Sequence, residues 1–274
     1  MGLASRQIGM SQRQIVGIIL VRNEDVQLHR VIKNILDFCD VLIIADHQST
    51  DTTPQIIQKL VSESPKIQAT TISHPRESHE LIKKFAGTDR WIFGVDGDEI
   101  YDPVGLSRMR KRIFEGRYDD SWMILANVLN CDRIDPNSNI ASGWLAPPCR
   151  SITKLYNFAH IRSWNGDTPE RLHGGYIEFQ PTRNADARFN LHEQESWDDS
   201  PLRCLHACFT PRSHLDGSQT IIRENIMDIH AASLLARLHR WWKMLRGLPL
   251  ESAWKKSRYR RGPRVTVDVA PFFS

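Results

Sequence analysis

The sequence lacks any long apolar run. The longest near its start, Ile15 to Val21, is seven residues, against roughly 20 needed to cross a bilayer, so no transmembrane helix is expected. The opening MGLASRQIGMSQRQ has no apolar h-region, and Arg6 stands where a myristoylation motif needs Ser or Thr. A secretory signal and that lipid anchor are thereby disfavoured, and a cytoplasmic location is expected. Cysteines are few: Cys39, Cys131, Cys149, Cys204 and Cys208 are odd in number and never spaced C-x-x-C. That argues against a disulfide framework and a zinc knuckle and leaves buried free thiols. Internal repeats and low-complexity tracts are absent too. What remains is 274 residues with 41% hydrophobic content, enough for one large α/β domain or one domain with an appendage.

Charge is unevenly distributed. Residues 237–264 hold ten Lys/Arg against the single acid Glu251, although the whole chain carries only +4. A basic C-terminal stretch on a mildly acidic body suggests a local anionic partner. Three readings of the tail KKSRYRRGPR (Lys255 to Arg264) stay open: a diphosphate clamp, peripheral membrane contact at the inner face together with Trp241-Trp242-Lys243, and a solvated tail.

From Ile15 to about Ile100, short β-rich runs alternate with helical patterns. IVGIILV, VLIIA, IQATTI and WIFGV are too short and too β-branched for helices. Leu28, Val31, Ile32, Ile35, Leu36 and Cys39 form one helical face. Thr53-Pro54 opens a second helix, and a third begins near Ser78. Strand-helix repetition predicts a parallel sheet with helices on its faces. A helix over Val104–Phe114 and a strand over Ser121–Leu129 follow, then looser chain with short pieces such as Thr153–Phe158. Ile221–Arg246 reads as helix.

Ligands in such sheets bind at the carboxyl ends of the strands. Here those ends read Arg22-Asn23-Glu24, Asp46 to Asp51, Ser73 to Arg76, and Asp96-Gly97-Asp98-Glu99. Two carboxylates separated by glycine at a strand end can hold a hard divalent cation, and the glycine allows close approach of backbone and phosphate. A diphosphate leaving group needs such a cation, because negative charge grows on its oxygen as the bond breaks.

With VRNE (Val21 to Glu24), IIADHQSTDTT (Ile43 to Thr53) and VDGDE (Val95 to Glu99) in that order, the first 40% of the chain resembles family-two glycosyltransferases of the GT-A fold. The resemblance implies a Rossmann-like, mostly parallel α/β sheet with a C-terminal helical and basic extension. It implies a metal-dependent, inverting sugar transfer from a UDP- or GDP-sugar to a saccharide or lipid-linked acceptor in cell-surface glycan synthesis, with Mn2+ or Mg2+ as cofactor. Glu24 and Asp46 would line the nucleotide pocket, Arg76 would meet base or phosphates, and Asp96 and Asp98 would bracket ribose and cation, Asp98 more directly. His47-Gln48 departs from the small or acidic pair common in the family and leaves the base open.

The second half must supply a general base. Glu170, after the Thr168-Pro169 helix-start signal, is the first choice, with Asp167 and Glu193 as rivals and a capping role equally open. His206, in an apolar run, is either a core histidine or, by resemblance, a late metal ligand. The expected organisation is a flexible 1–14, a donor half 15–129, an acceptor half 130–216, and a C-terminal helix and basic tail 217–274. Two alternatives remain. A sugar nucleotidyltransferase is disfavoured by the lack of glycine in Val21–Asp25. A nucleic-acid-binding or scaffold role through the tail leaves the edge acids unexplained, which makes a nucleic-acid partner unexpected.

Overall fold

Every residue from Ile15 to Val21 is buried, as in a central strand covered on both faces. The computed structural model, which describes residues 13–149, 154–216, 241–242, 246 and 258–274, puts this strand, β1 (Gln14–Val21), inside a large sheet. Then come α1 (Leu28–Ile35), β2 (Val41–Asp46), α2 (Thr53–Glu63), β3 (Ile67–Thr71), α3 (Glu77–Lys83) and β4 (Arg90–Asp96), in the expected alternation. β5 (Glu99–Tyr101), α4 (Pro103–Phe114), β6 (Met123–Leu125), β7 (Asn127–Asp135), β8 (Ile140–Ala146), β9 (Lys154–Asn157), β10 (Ile161–Asn165) and β11 (Tyr176–Phe179) follow. The series continues with β12 (Arg188–Asn190), α5 (Leu191–Gln194), β13 (Arg203–His206), β14 (Arg264–Asp268) and α6 (Ala270–Phe273).

The large sheet has the order β12-β6-β9-β4-β1-β2-β3. β1 runs parallel to β2 and β4, and β2 to β3, while β9 is antiparallel to both β4 and β6. Alternate residues of β1 face two cores: Ile15, Ile19 and Val21 pack with α1 and α4, and Val16 and Ile18 pack with Ile82 of α3 and Trp164. Register aligns the strand ends, since Leu20 pairs with Asp96 and Val21 with Asp46. The carboxyl edge is thereby brought into line.

A second sheet, β14-β8-β7-β13-β5, abuts that edge. Its presence corrects one expectation: Ser121–Leu129 is not one strand. The chain leaves the first sheet after Leu125 and enters the second at Asn127. Ala126 and both flanking runs are almost wholly buried, so only the buried Asn127 stands at the crossing and no exposed turn marks it. The boundary expected after residue 129 falls within β7, and β9 returns to the first sheet.

Residues 1–12 lie outside the described residues. Arg13 pairs with Asp89 and Asp119, and Gln14 opens β1. Apart from residues 241, 242 and 246, the helix expected over Ile221–Arg246 also lies outside the described residues. The C-terminal strand β14 pairs antiparallel with β8. Nearby, Asn34 on α1 donates to the carbonyls of Tyr101 (2.7 Å) and Phe272 (2.8 Å), joining segments far apart in sequence.

None of the five cysteines is joined in a disulfide, and four of them are buried. β7 and β8 change register between Cys131 and Arg133, and at this irregularity Gly143 lies so close to its partner strand that a Cβ would sit 2.0 Å from the Asn130 carbonyl oxygen. At Gly94 the nearest obstacle is the end of the Leu172 side chain, 2.6 Å away, which can swing aside. Gly143→Ala should therefore destabilise the protein by roughly 2–3 kcal/mol and Gly94→Ala by clearly less, read from urea midpoints at constant m-value.

Candidate active site

The loops after β1 and β2 are knitted together. Asn23 takes a left-handed conformation (φ 52°), its amide donates to Ser49 Oγ (2.9 Å), and the Glu24 amide donates to Thr53 Oγ1 (2.9 Å). Asp46 Oδ1 accepts from the amide (3.1 Å) and the hydroxyl (2.6 Å) of Ser49. His47 turns to the Ser73 carbonyl (3.2 Å), which anchors the residue that departs from the family pattern.

Asp96-Gly97-Asp98 spans the crossing from β4 to β5. A Cβ on Gly97 would lie 3.0 Å from Glu24 Cβ and 3.1 Å from Val21 Cγ1. The glycine therefore admits the Glu24 side chain, a close approach made by the protein itself.

Asp98 is 1% exposed. Its Oδ2 accepts from Arg212 Nη1 at 3.2 Å, and the same nitrogen donates to Glu24 Oε1 at 3.2 Å. Asp98 Oδ1 has no hydrogen-bond partner and faces His206 Nε2 at 3.7 Å. Strand pairing makes that meeting: His206 lies opposite Glu99 in β13–β5 and beside Asn130 in β13–β7. Its Nδ1 is 2.9 Å from Asn130 Oδ1. An amide oxygen only accepts, so Nδ1 carries the proton and Nε2 turns towards Asp98. A buried carboxylate oxygen without a donor, facing an imidazole nitrogen, fits a cation. Among the described residues no group of three His, Cys, Asp or Glu side chains is arranged to hold a metal. Two protein ligands suit Mn2+ or Mg2+ completing its shell with phosphate and water.

Asp96 is half-open to the cleft. Arg171, itself 5% exposed, ion-pairs with its Oδ1 and also donates to the Val95 carbonyl (2.8 Å). Burial raises the Asp96 pKa, but Arg171 outweighs it and holds the group below the usual carboxylate range. Arg171 Nε and Nη1 have no hydrogen-bond partner. α3 braces the residue, because Ser78 Oγ accepts from the Arg171 amide (3.0 Å). Glu99 behaves oppositely: burial first, then repulsion from Asp96, pushes its pKa up to about 8, while its Oε2 accepts from Tyr101 Oη (2.9 Å).

Glu170 reaches the site through its neighbour, with Oε2 4.0 Å from Arg171 Nη1. The helix expected from Thr168-Pro169 does not form. The segment is instead the turn between β10 and β11, closed by a bridge between Glu170 and His173 and by glycines 166, 174 and 175 at positive φ. Glu170 Oε1 lies 3.1 Å from His173 Nδ1 and raises the His173 pKa. Arg76 is exposed and bonds to His74. Glu193 accepts from Asn190 (3.0 Å), and Asp167 is exposed. Among the described residues, no hydrogen bond or ion pair joins these three to Asp96 or Asp98.

The tail reaches this edge. Tyr259 sits edge-on to His206 with ring centroids 5.6 Å apart, Arg260 stacks over Phe209 (4.3 Å), and Arg264 grips Asp132 with two nitrogens. Burial, then the charge of Cys208 and the edge acids, raises the Tyr259 pKa. The part of the tail before Arg258 lies outside the described residues.

Residues 18–175 match Glycosyl transferase family 2. The chain belongs to this family of glycosyltransferases. No curated protein sequence matches it. Among solved structures, 4-diphosphocytidyl-2C-methyl-D-erythritol synthase from Anaerococcus prevotii aligns at 13% identity over 55% of this chain and 72% of its own, TM-score 0.36. Glucosyl-3-phosphoglycerate synthase from Mycobacterium tuberculosis, with Mn2+, UDP and glucosyl-3-phosphoglycerate, aligns at 15% identity over 54% and 58%, TM-score 0.37. The same synthase with Mn2+ and UDP-glucose gives 18%, 42%, 44% and 0.33. The chain thus spans about half of that synthase's length, and overlaps this partial add nothing to the family assignment.

In metal-free buffer, Glu99→Gln should report the buried acid. A raised folded pKa means a contribution fully present below the unfolded value of 4.5 and lost as pH rises towards about 8. The variant should therefore gain stability over wild type across that window, with the difference closing below it, as read by thermal melts against pH.

Proposed function

We propose that this family-two transferase moves a sugar from a nucleotide-diphosphate-sugar to a saccharide or lipid-linked acceptor, with inversion, using a divalent cation at Asp98 and His206. The observation that carries this reading is the buried Asp98 Oδ1, without a donor of its own and turned to His206 Nε2 at 3.7 Å. When bound, the cation would offset the charge that grows on the departing diphosphate. Asp98 and His206 would hold it, and Asn130 would keep the His206 proton on Nδ1, away from the cation. Glu24, Asp46 and Asp96 would line the nucleotide-sugar pocket, with Arg76 meeting base or phosphates from the β3 edge.

Glu170 is the proposed general base. Its contacts with His173 (3.1 Å) and Arg171 (4.0 Å) fix the position of the side chain, from which it would accept a proton from the acceptor hydroxyl. A sugar nucleotidyltransferase needs free backbone amides after its first strand to cradle phosphates. The amides of Asn23 and Glu24 are already taken by Ser49 and Thr53, which favours the transferase. No helix among the described residues is long and apolar enough to cross a membrane. Peripheral contact at the inner face, serving a lipid-linked acceptor in cell-surface glycan synthesis, is part of the proposal and would use the exposed Trp241 and Trp242.

Wild type should be stabilised against heat by one nucleoside diphosphate only when manganese is present, and Asp98→Asn should lose that shift. An equal shift in the variant would remove Asp98 from the site. Glu170→Gln should lower kcat by about 100-fold or more with KM little changed, and a KM effect alone would make Glu170 a binding residue.

A further inference from the structure

The Arg212 guanidinium sits where positive charge is most needed on this edge. One nitrogen, Nη1, lies 3.2 Å from Glu24 Oε1 and 3.2 Å from Asp98 Oδ2. The segment that carries it is fastened across the loops it covers. The Val26 amide donates to the Arg212 carbonyl (3.0 Å), Ser213 Oγ donates to Asp51 (2.7 Å), and the His214 amide donates to Asp25 (2.9 Å). Asp216 closes the turn by accepting from the amides of Arg212 and Ser213, each at 3.0 Å. A contact held at this many points is built into the fold, and it leaves Asp98 1% exposed.

A divalent cation on Asp98 would meet this guanidinium at close range, and like charges sharing one carboxylate repel. Access runs the same way, because Arg212 covers the oxygen next to the one that faces His206.

We propose that Arg212 is an internal counter-cation at Asp98, which a divalent cation must displace, so that cation binding and release of segment 212–216 form one equilibrium. The inference rests on the cation reading given above. It makes Arg212 a residue that sets how tightly the cation is held before any nucleotide arrives. The released guanidinium is then available to an incoming anion.

The test is calorimetric titration of the full chain with Mn2+ alone, in wild type, Arg212→Gln and Arg212→Lys. Removing the competitor should tighten Mn2+ binding by about tenfold in the glutamine variant. The lysine variant, with a point charge in place of the planar fork, should fall between it and wild type. Mn2+ binding equal to or weaker than wild type in both variants overturns the proposal and leaves the cation reading standing. No Mn2+ bound by any of the three, with or without a nucleoside diphosphate, overturns both. Should Arg212→Gln fail to fold, the lysine variant decides by the same sign. Hydrogen exchange in wild type gives an independent reading: the Val26 amide should lose protection on saturation with Mn2+, and unchanged protection counts against displacement.

Discussion

Four carboxylates crowded onto one sheet edge are the constraint around which this molecule is arranged. Glu24, Asp96, Asp98 and Glu99 come from two neighbouring strand ends, and two unit charges about 4 Å apart in a protein-like medium repel by roughly 4 kcal/mol. The chain answers each in a different way. Arg171 pairs with Asp96 from the β10–β11 turn, Arg212 pairs with Glu24 and Asp98 from the segment after β13, and burial beside Asp96 pushes the Glu99 pKa up. Both arginines come from the second half of the sequence. The first half places the acids, and the second half makes them tolerable.

That division explains what could be read in advance. The four parallel strands and three helices follow from local pattern, because the strands are short and β-branched, three of them apolar on both faces, and the helices carry an apolar stripe. Asp96 and Asp98 stood out because acids directly after a buried strand have a short list of uses. Arg171 and Arg212 carry no such signal: each is one basic residue among 36 Lys and Arg. Only the turn after Asn165 and the path after His206 reveal their targets. Asn130 was hidden for a related reason, since its role depends on β7 and β13 lying side by side, a pairing of residues 76 apart.

Glu170 lies near Arg171, but in a local structure other than the expected one. A Thr-Pro pair is a fair helix start, but glycines at 166, 174 and 175 with positive φ give a turn instead. In the tail, the basic composition suggested solvent or an outside partner. The described part spends its tyrosine and two of its arginines on Phe209, Trp144, His206 and Asp132.

The bonds from Asn34 to Tyr101 and Phe272, together with β14 on β8, tie an early helix to residues near position 270. Contacts so distant in sequence are closed late and slowly, because the intervening chain must be ordered first. During synthesis on the ribosome, the acid edge is therefore exposed before the segments that neutralise and shield it have emerged. The nascent protein passes through a stage in which its crowded carboxylates stand unguarded, and the domain closes only once synthesis has passed the residues that pack on α1 and β8.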